Sequence, residues 1–193
     1  MNGGGFNYLW MKWSAMAWLV FGRQARALVL FDEMLRRWPH DAYALSSRSH
    51  VRAQQGRRDD AIADMQALVA AQPERSAAHW FNLAYLLEDA GRFDEAEPMF
   101  RRALTLDPKL DRAWYGLGLT LIRLRRPEEA VAALKKNTEL QPMSPYGWYQ
   151  MARVQFDRQK PEETRKIIRH LKGFEPKVAA QLERETGLVV HLD

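Results

Sequence analysis

Residues 111–144 read DRAWYGLGLTLIRLRRPEEAVAALKKNTELQPMS, and the same design recurs on either side at a shift of 34 residues. Trp114 has counterparts in Trp80 and Trp148, and Pro142 in Pro108 and Pro176. Pro73 and Pro39 continue the proline series upstream once a single extra residue, Ser76, is allowed between two units. Two columns hold small residues: Ala15, Ser49, Ala84, Gly118 and Ala152 in one, and Ala27, Ala61, Ala96, Ala130 and then Thr164 in the other. A further column is large and apolar, with Phe31, Met65, Phe100, Leu134 and Ile168. An internal period of this length overrides any division of the chain by length alone.

Each unit reads as two helices joined by a tight turn. Trp114, Leu117 and Leu121 fall at helical spacing and copy Trp80, Leu83 and Leu87, so they form the stripe that faces the partner helix. The small columns mark where the two helices cross most closely. Gly22, Gly56 and Gly91 mark the turns, where a left-handed residue ends the first helix, and Arg125 and Gln159 stand there at a cost in strain. The prolines end the second helices; Asp41, Ser76 and Ser144 suit the caps of the next ones, with Pro145 at a favourable first position. Leu45 and Arg48 replace the tryptophan and leucine of the second unit, which predicts that its hairpin is the least well packed. Acidic pairs (Asp59 and Asp60, Asp94 and Glu95, Glu128 and Glu129, Glu162 and Glu163) open the second helices. Arg101 and Arg102, Lys135 and Lys136, and Arg169 with His170 are expected near their far ends, in accord with the helix dipole. Adjacent carboxylates diverge by about 100° on a helix and do not converge on one substrate atom.

This order of Trp, Leu, Gly, Tyr, then Ala, Phe and Pro over 34 residues resembles the tetratricopeptide repeat family, most closely at Trp114, Leu117, Gly118, Ala130 and Pro142. The resemblance implies an all-α fold, a right-handed superhelical α-solenoid of about five repeats with a C-terminal capping helix. The units would be 8–41, 42–75, 77–110, 111–144 and 145–178, after a flexible N-terminus at 1–7 and before a capping helix and tail at 179–193. The amphipathic segment 177–186, ended by Gly187, supplies the cap, with Val178 and Leu182 on one side.

Catalysis finds little in the sequence. There is no cysteine, so thiolate chemistry and cysteine-based zinc sites are excluded. His40, His50, His79, His170 and His191 are scattered without ligand spacing, Ser46, Ser47 and Ser49 lie on a helix without a nucleophile elbow, and no glycine-rich phosphate loop occurs. No enzyme, metal or cofactor is therefore expected. The run at residues 6–21 is too short to span a bilayer, is broken by Asn7, Lys12 and Ser14, and lacks a preceding basic residue, so neither a membrane anchor nor a signal peptide is expected. The expected location is the cytoplasm.

The expected function is to bind a protein or peptide partner. The resemblance implies that first helices line a concave groove, and the face turned away from the packing stripe carries Tyr43, His50, Phe81, Asn82, Tyr85, Arg112, Tyr115, Tyr146, Tyr149 and Arg153, with Trp13 and Met16 upstream. Aromatics and arginine are enriched at interfaces, although the same aromatics also serve to pack neighbouring first helices. A clamp for the terminal carboxylate of a chaperone tail, known in the family, matches poorly: Asn82 suits one role, but Ser46, His50 and Gly116 stand where other clamp residues are wanted. The segment 8–21 is apolar nearly all round, with Trp10, Trp13, Trp18 and Phe21, so something covers it: a second copy, a partner protein or a membrane surface. Self-association into a homodimer through this end is the preferred version. The net charge of +5 and the cluster Arg48, Arg52, Arg57, Arg58, Arg123, Arg125 and Arg126 leave non-specific nucleic-acid binding as a distant alternative, with no specific nucleic acid expected.

Overall fold

The structure, a computed structural model, describes residues 3–191, which form helices and connecting turns. In order these are α1 (Gly3–Val20), α2 (Gln24–Arg37), α3 (Ala42–Gln54), α4 (Arg58–Ala71), α5 (Ala77–Asp89), α6 (Phe93–Leu106), α7 (Asp111–Arg123), α8 (Pro127–Leu140), α9 (Pro145–Asp157), α10 (Pro161–Lys172) and α11 (Pro176–Thr186). They fall into two compact units that divide between Ala90 and Gly91. In the first unit α1 to α5 each pack on the helix before and after; in the second, α6 to α11 do the same, and α11 also reaches α9. This is the order of an α-solenoid, in which contacts are made between sequence neighbours.

The columns behave as the repeat requires. Ala15, Ser49, Ala84 and Ala152 are buried, and so are Ala27, Ala61, Ala96, Ala130 and Thr164. At Gly118 a Cβ atom would stand 2.7 Å from the Leu134 side chain, so only the absence of one lets α7 and α8 approach this closely. In the second hairpin Ser49 donates from its hydroxyl to the Ala61 carbonyl at 2.8 Å, a side-chain bond that the close crossing permits. The tryptophans at the head of the first helices each donate their indole N–H to a proline carbonyl of the preceding turn: Trp80 to Pro73 at 2.7 Å, Trp114 to Pro108 at 2.9 Å and Trp148 to Pro142 at 2.9 Å. Each unit is thereby tied to the end of the one before it within its own compact body.

Three expectations need correction. The first helix begins at Gly3, so residues 3–7 are helical rather than a flexible lead; residues 1 and 2 lie outside the described residues. The second hairpin is not loosely packed. Leu45 is buried, and Arg48 is held by Asp64 at 2.5 Å and Asp32 at 2.7 Å, while Arg52 reaches the other Asp64 oxygen at 2.7 Å. An ionic cluster thus fills the place of the missing leucine. Finally, α6 and α8 run on to Leu106 and Leu140, which leaves Arg101, Arg102, Lys135 and Lys136 short of the last turn. Arg101 answers Glu97 and Glu129 instead, and Lys136 answers Glu139. The acidic openings do lie in first turns, and each of three is gripped by the arginine just before its helix: Arg57 with Asp60 at 2.8 Å, Arg92 with Glu95 at 2.7 Å and Arg126 with Glu129 at 2.7 Å. Of the expected caps, Asp41 accepts from the Ala44 amide at 2.7 Å, whereas Ser76 and Ser144 make no side-chain cap bond.

Candidate functional site

In the second unit the first helices α7 and α9 lie beside one another, and the residues singled out on them come together. A hollow of about 540 Å³ is lined by Asp111, Arg112 and Tyr115 from α7, Asn137 from α8, Tyr146 from α9, and Gln141 and Ser144 from the turn between α8 and α9. A second hollow of about 260 Å³ adjoins it, sharing Tyr115 and Tyr146 and adding Tyr149, Gln150, Val178 and Gln181. Tyr146 is 69% exposed, so its ring stands as a ridge between the two, while Tyr115 and Tyr149 are half-buried.

Local sequence builds this floor in a way the repeat columns alone do not reveal. Asn137 occupies the column of Met34, Leu68, Ala103 and Leu171, an apolar position in every other unit. Its amide donates to the Asp111 carbonyl at 3.0 Å, and it is accommodated because Gly147 has no side chain; a Cβ there would sit 2.2 Å from the Asn137 Oδ1. Polar Asn137 opposite Gly147 is thus a matched pair of departures, and a polar residue in an otherwise apolar column is its mark in the sequence.

The far end of the site is engaged by the capping helix. The Tyr149 hydroxyl donates to Glu185 at 2.9 Å, Gln181 donates to the same carboxylate at 2.8 Å, and Arg153 stands 4.0 Å from it. Burial first, then the Glu185 carboxylate, raises the Tyr149 phenol above its ordinary range, and the Gln181 amide leads the groups that hold the Glu185 carboxyl below its own. Tyr149 and Arg153 were expected as groove residues facing a partner; here they face α11.

In the first unit the expected residues are divided. Phe81 and Tyr85, one turn apart on α5, stack at 6.5 Å between centroids, with Tyr85 and Asn82 exposed. Tyr43 does a packing job: Phe31 meets its ring edge-on at 6.1 Å and the Lys12 ammonium lies 4.6 Å over its face. His50 is exposed and turned toward Gln54 on its own helix, 3.0 Å away. Gly116 has no room for any clamp side chain, since a Cβ there would lie 2.5 Å from the Phe100 ring.

The chemistry available in the second unit is that of recognition. The rings of Tyr115, Tyr146 and Tyr149 offer flat apolar faces, and Gln150 brings an amide with both a donor and an acceptor. Among the described residues no group of three or more His, Asp or Glu side chains is placed to hold a metal ion, and no helix is long and apolar enough to cross a membrane.

The sequence model of the tetratricopeptide repeat matches residues 47–111 and 81–145, together 99 of the 193 residues. No curated protein matches the chain. Among solved structures, a crystal structure of MamA protein superposes with a TM-score of 0.81 at 17% identity, covering 98% of this chain and 100% of that one. YrrB, described as a TPR protein with an unusual peptide-binding site, gives 0.78 at 17% identity over 88% of each chain. A tetratricopeptide repeat protein from Parabacteroides merdae gives 0.81 at 18% identity, over 94% of this chain and 74% of that one. At such identities the likeness is one of fold.

Proposed function

The chain belongs to the tetratricopeptide repeat family, and from that premise we propose that it is an interaction scaffold that holds an extended peptide of a partner protein across α7 and α9. The observation that carries this reading is the pair of adjoining hollows that share Tyr115 and Tyr146. Two adjoining recesses that share an exposed aromatic residue suit successive anchor residues of one strand, and buried aromatic anchors dominate the energy of such contacts. The likeness to YrrB, whose description includes a peptide-binding site, supports the class of function without naming this chain's ligand. Within this reading Tyr43 is a packing residue, and Phe81, Asn82 and Tyr85 form a separate exposed patch on the first unit.

The test is selection of peptides from a random displayed library on the intact chain, followed by titration of the winners against Tyr146→Ala and Tyr115→Ala. Selected peptides are expected to bind the natural chain and to lose roughly thirtyfold or more in affinity to either variant. Equal binding by all three proteins would remove the site from α7 and α9.

The nucleic-acid alternative draws little support. Arg48, Arg52, Arg57, Arg58 and Arg126 are each committed to a carboxylate, and Arg123 lies over the Phe93 ring. Such cations release few counterions from phosphate.

A further inference from the structure

The exposed side of α1 is its more apolar side. Phe6, Leu9, Trp10, Trp13, Met16 and Val20 recur at three- and four-residue spacing and form one stripe facing solvent, with Trp10 56% and Trp13 62% exposed. The opposite side, through buried Met11 and Ala15, already packs on the first unit. The single charged residue of α1, Lys12, is off the stripe, over the Tyr43 ring. A helix with this pattern is normally inverted, and a contiguous apolar patch of this size marks an interface.

Later repeats show what this face is for. In register, Trp10 corresponds to Ala44, His79, Ala113 and Gly147, and Trp13 to Ser47, Asn82, Gly116 and Gln150; Ala44, Ala113, Gly116 and Gly147 are buried, and the two glycines lie beneath the second helix of the preceding hairpin. At the two glycines that helix comes close: a Cβ would stand 2.5 Å from Phe100 at Gly116 and 2.2 Å from Asn137 at Gly147. An indole at Trp10 or Trp13 does not fit beneath a helix held as closely as those over Gly147 and Gly116. The occupant must instead accept protruding indoles. A membrane surface is a poor match, since interfacial helices present lysine or arginine beside their apolar face and this stripe has none.

We propose that the occupant is a second copy of this chain, joined by antiparallel pairing of α1 with α1 about a two-fold axis at Trp13. The stripe is self-complementary about that residue: Trp13 meets its own mate, Trp10 meets Met16, and Phe6 meets Val20, with no charge opposed to any other. The exposed aromatic and aliphatic side chains, at roughly 100–200 Å² each, offer about the 800 Å² per partner of a standard interface. This surface is independent of the α7 and α9 site, and either reading stands or falls without the other.

The test uses the axis. Trp13→Glu and Trp13→Lys each set two like charges face to face in a homodimer, whereas an equimolar mixture sets opposite charges together. Because Trp13 is exposed, both variants are expected to keep the natural helical circular dichroism. By light scattering, the natural chain is expected at twice its 22.5 kDa mass, each variant at the single-chain mass with self-association weakened about thirtyfold or more, and the mixture back at the doubled mass. A natural chain that stays single at about 100 μM, or variants that dimerise as it does, would overturn the proposal. So would a single-chain protein that floats with phosphatidylcholine and phosphatidylserine vesicles and is released by Trp13→Glu, which would assign the stripe to lipid.

Discussion

Arg48 stands in the column that Leu83, Leu117 and Met151 fill in later units, and Asp64 stands in the column of Leu30, Met99, Ala133 and Ile167. Neither substitution is tolerable by itself, for the Asp64 side chain is only 4% exposed and an unpaired carboxylate there would be strongly destabilising. Together they form a bidentate pair, with Arg52 and Asp32 completing it. Arg48→Leu is therefore expected to lower stability by about 3–5 kcal/mol, whereas Arg48→Leu with Asp64→Leu, which restores the apolar pair of the other repeats, is expected to be neutral or stabilising. Urea denaturation of the single and double variants measures the difference; equal losses in both would mean that the ion pair itself, and not the relief of a stranded charge, is what the fold needs. The pair is half legible in the sequence: Arg48 stands out as a departure from its column, but what compensates it, Asp64, lies on the other helix and in a different column. His79 is a departure of the same kind, whose surroundings the sequence does not display. It replaces Ala44, Ala113 and Gly147 in a buried column, its Nδ1 has no hydrogen-bond partner, and burial, with Arg75 adding to it, pushes its pKa below the ordinary histidine value. The native state thus binds fewer protons than the unfolded chain just below about pH 6.5. The stability this contributes is complete above that pH and is lost as pH falls through the depressed native value. His79→Ala is expected to flatten the dependence of the urea midpoint on pH between about 7.5 and 5, and an unchanged slope would show that the carboxylates govern it.

At the scale of the element, the turns were the most legible feature and the helix ends the least. Gly22, Gly56 and Gly91 have φ of +67°, +75° and +75°, and Arg125 and Gln159 take the same left-handed conformation at +57° and +58°, as the register of the columns required. A residue with a Cβ is strained there by about 1–2 kcal/mol, part of which glycine would return as freedom in the unfolded chain. Arg125→Gly is accordingly expected to raise stability by roughly 0.5–1 kcal/mol, read as a higher melting temperature; a decrease would imply that the Arg125 side chain has a role in the fold. The helix ends were harder to place because a residue's charge does not reveal how many turns follow it. The amphipathic pattern of α11 was legible, yet its effect on the site was not: only the folded chain brings Glu185 and Gln181 to Tyr149, far apart in sequence.

For the whole molecule, stability in a solenoid is a sum of hairpins and of the contacts between neighbours, so damage at one end should stay near that end. The cap provides the test. Leu182 and Ala179 are buried in one cluster with Ile168 and Leu171 of α10 and Met151 of α9, and Val190 of the tail after Gly187 joins them. The Glu183 carboxylate holds it there, accepting from the Val190 amide at 2.7 Å and pairing with Lys172 at 2.8 Å; residues 192 and 193 lie outside the described residues. Ending the chain after Glu175 would expose the α10 side of this cluster and forfeit the burial of Leu182 and Val190, at roughly 1.5–3 kcal/mol for each. Amide hydrogen exchange should then show α9 and α10 losing protection while α3 and α4 keep theirs, because each helix draws its stability from its immediate neighbours. Equal loss of protection in α3 and α4 would mean that the chain unfolds as one cooperative body, in which case substitutions at Tyr146 and Trp13 would have to be checked for effects that travel the length of the molecule before either surface could be assigned.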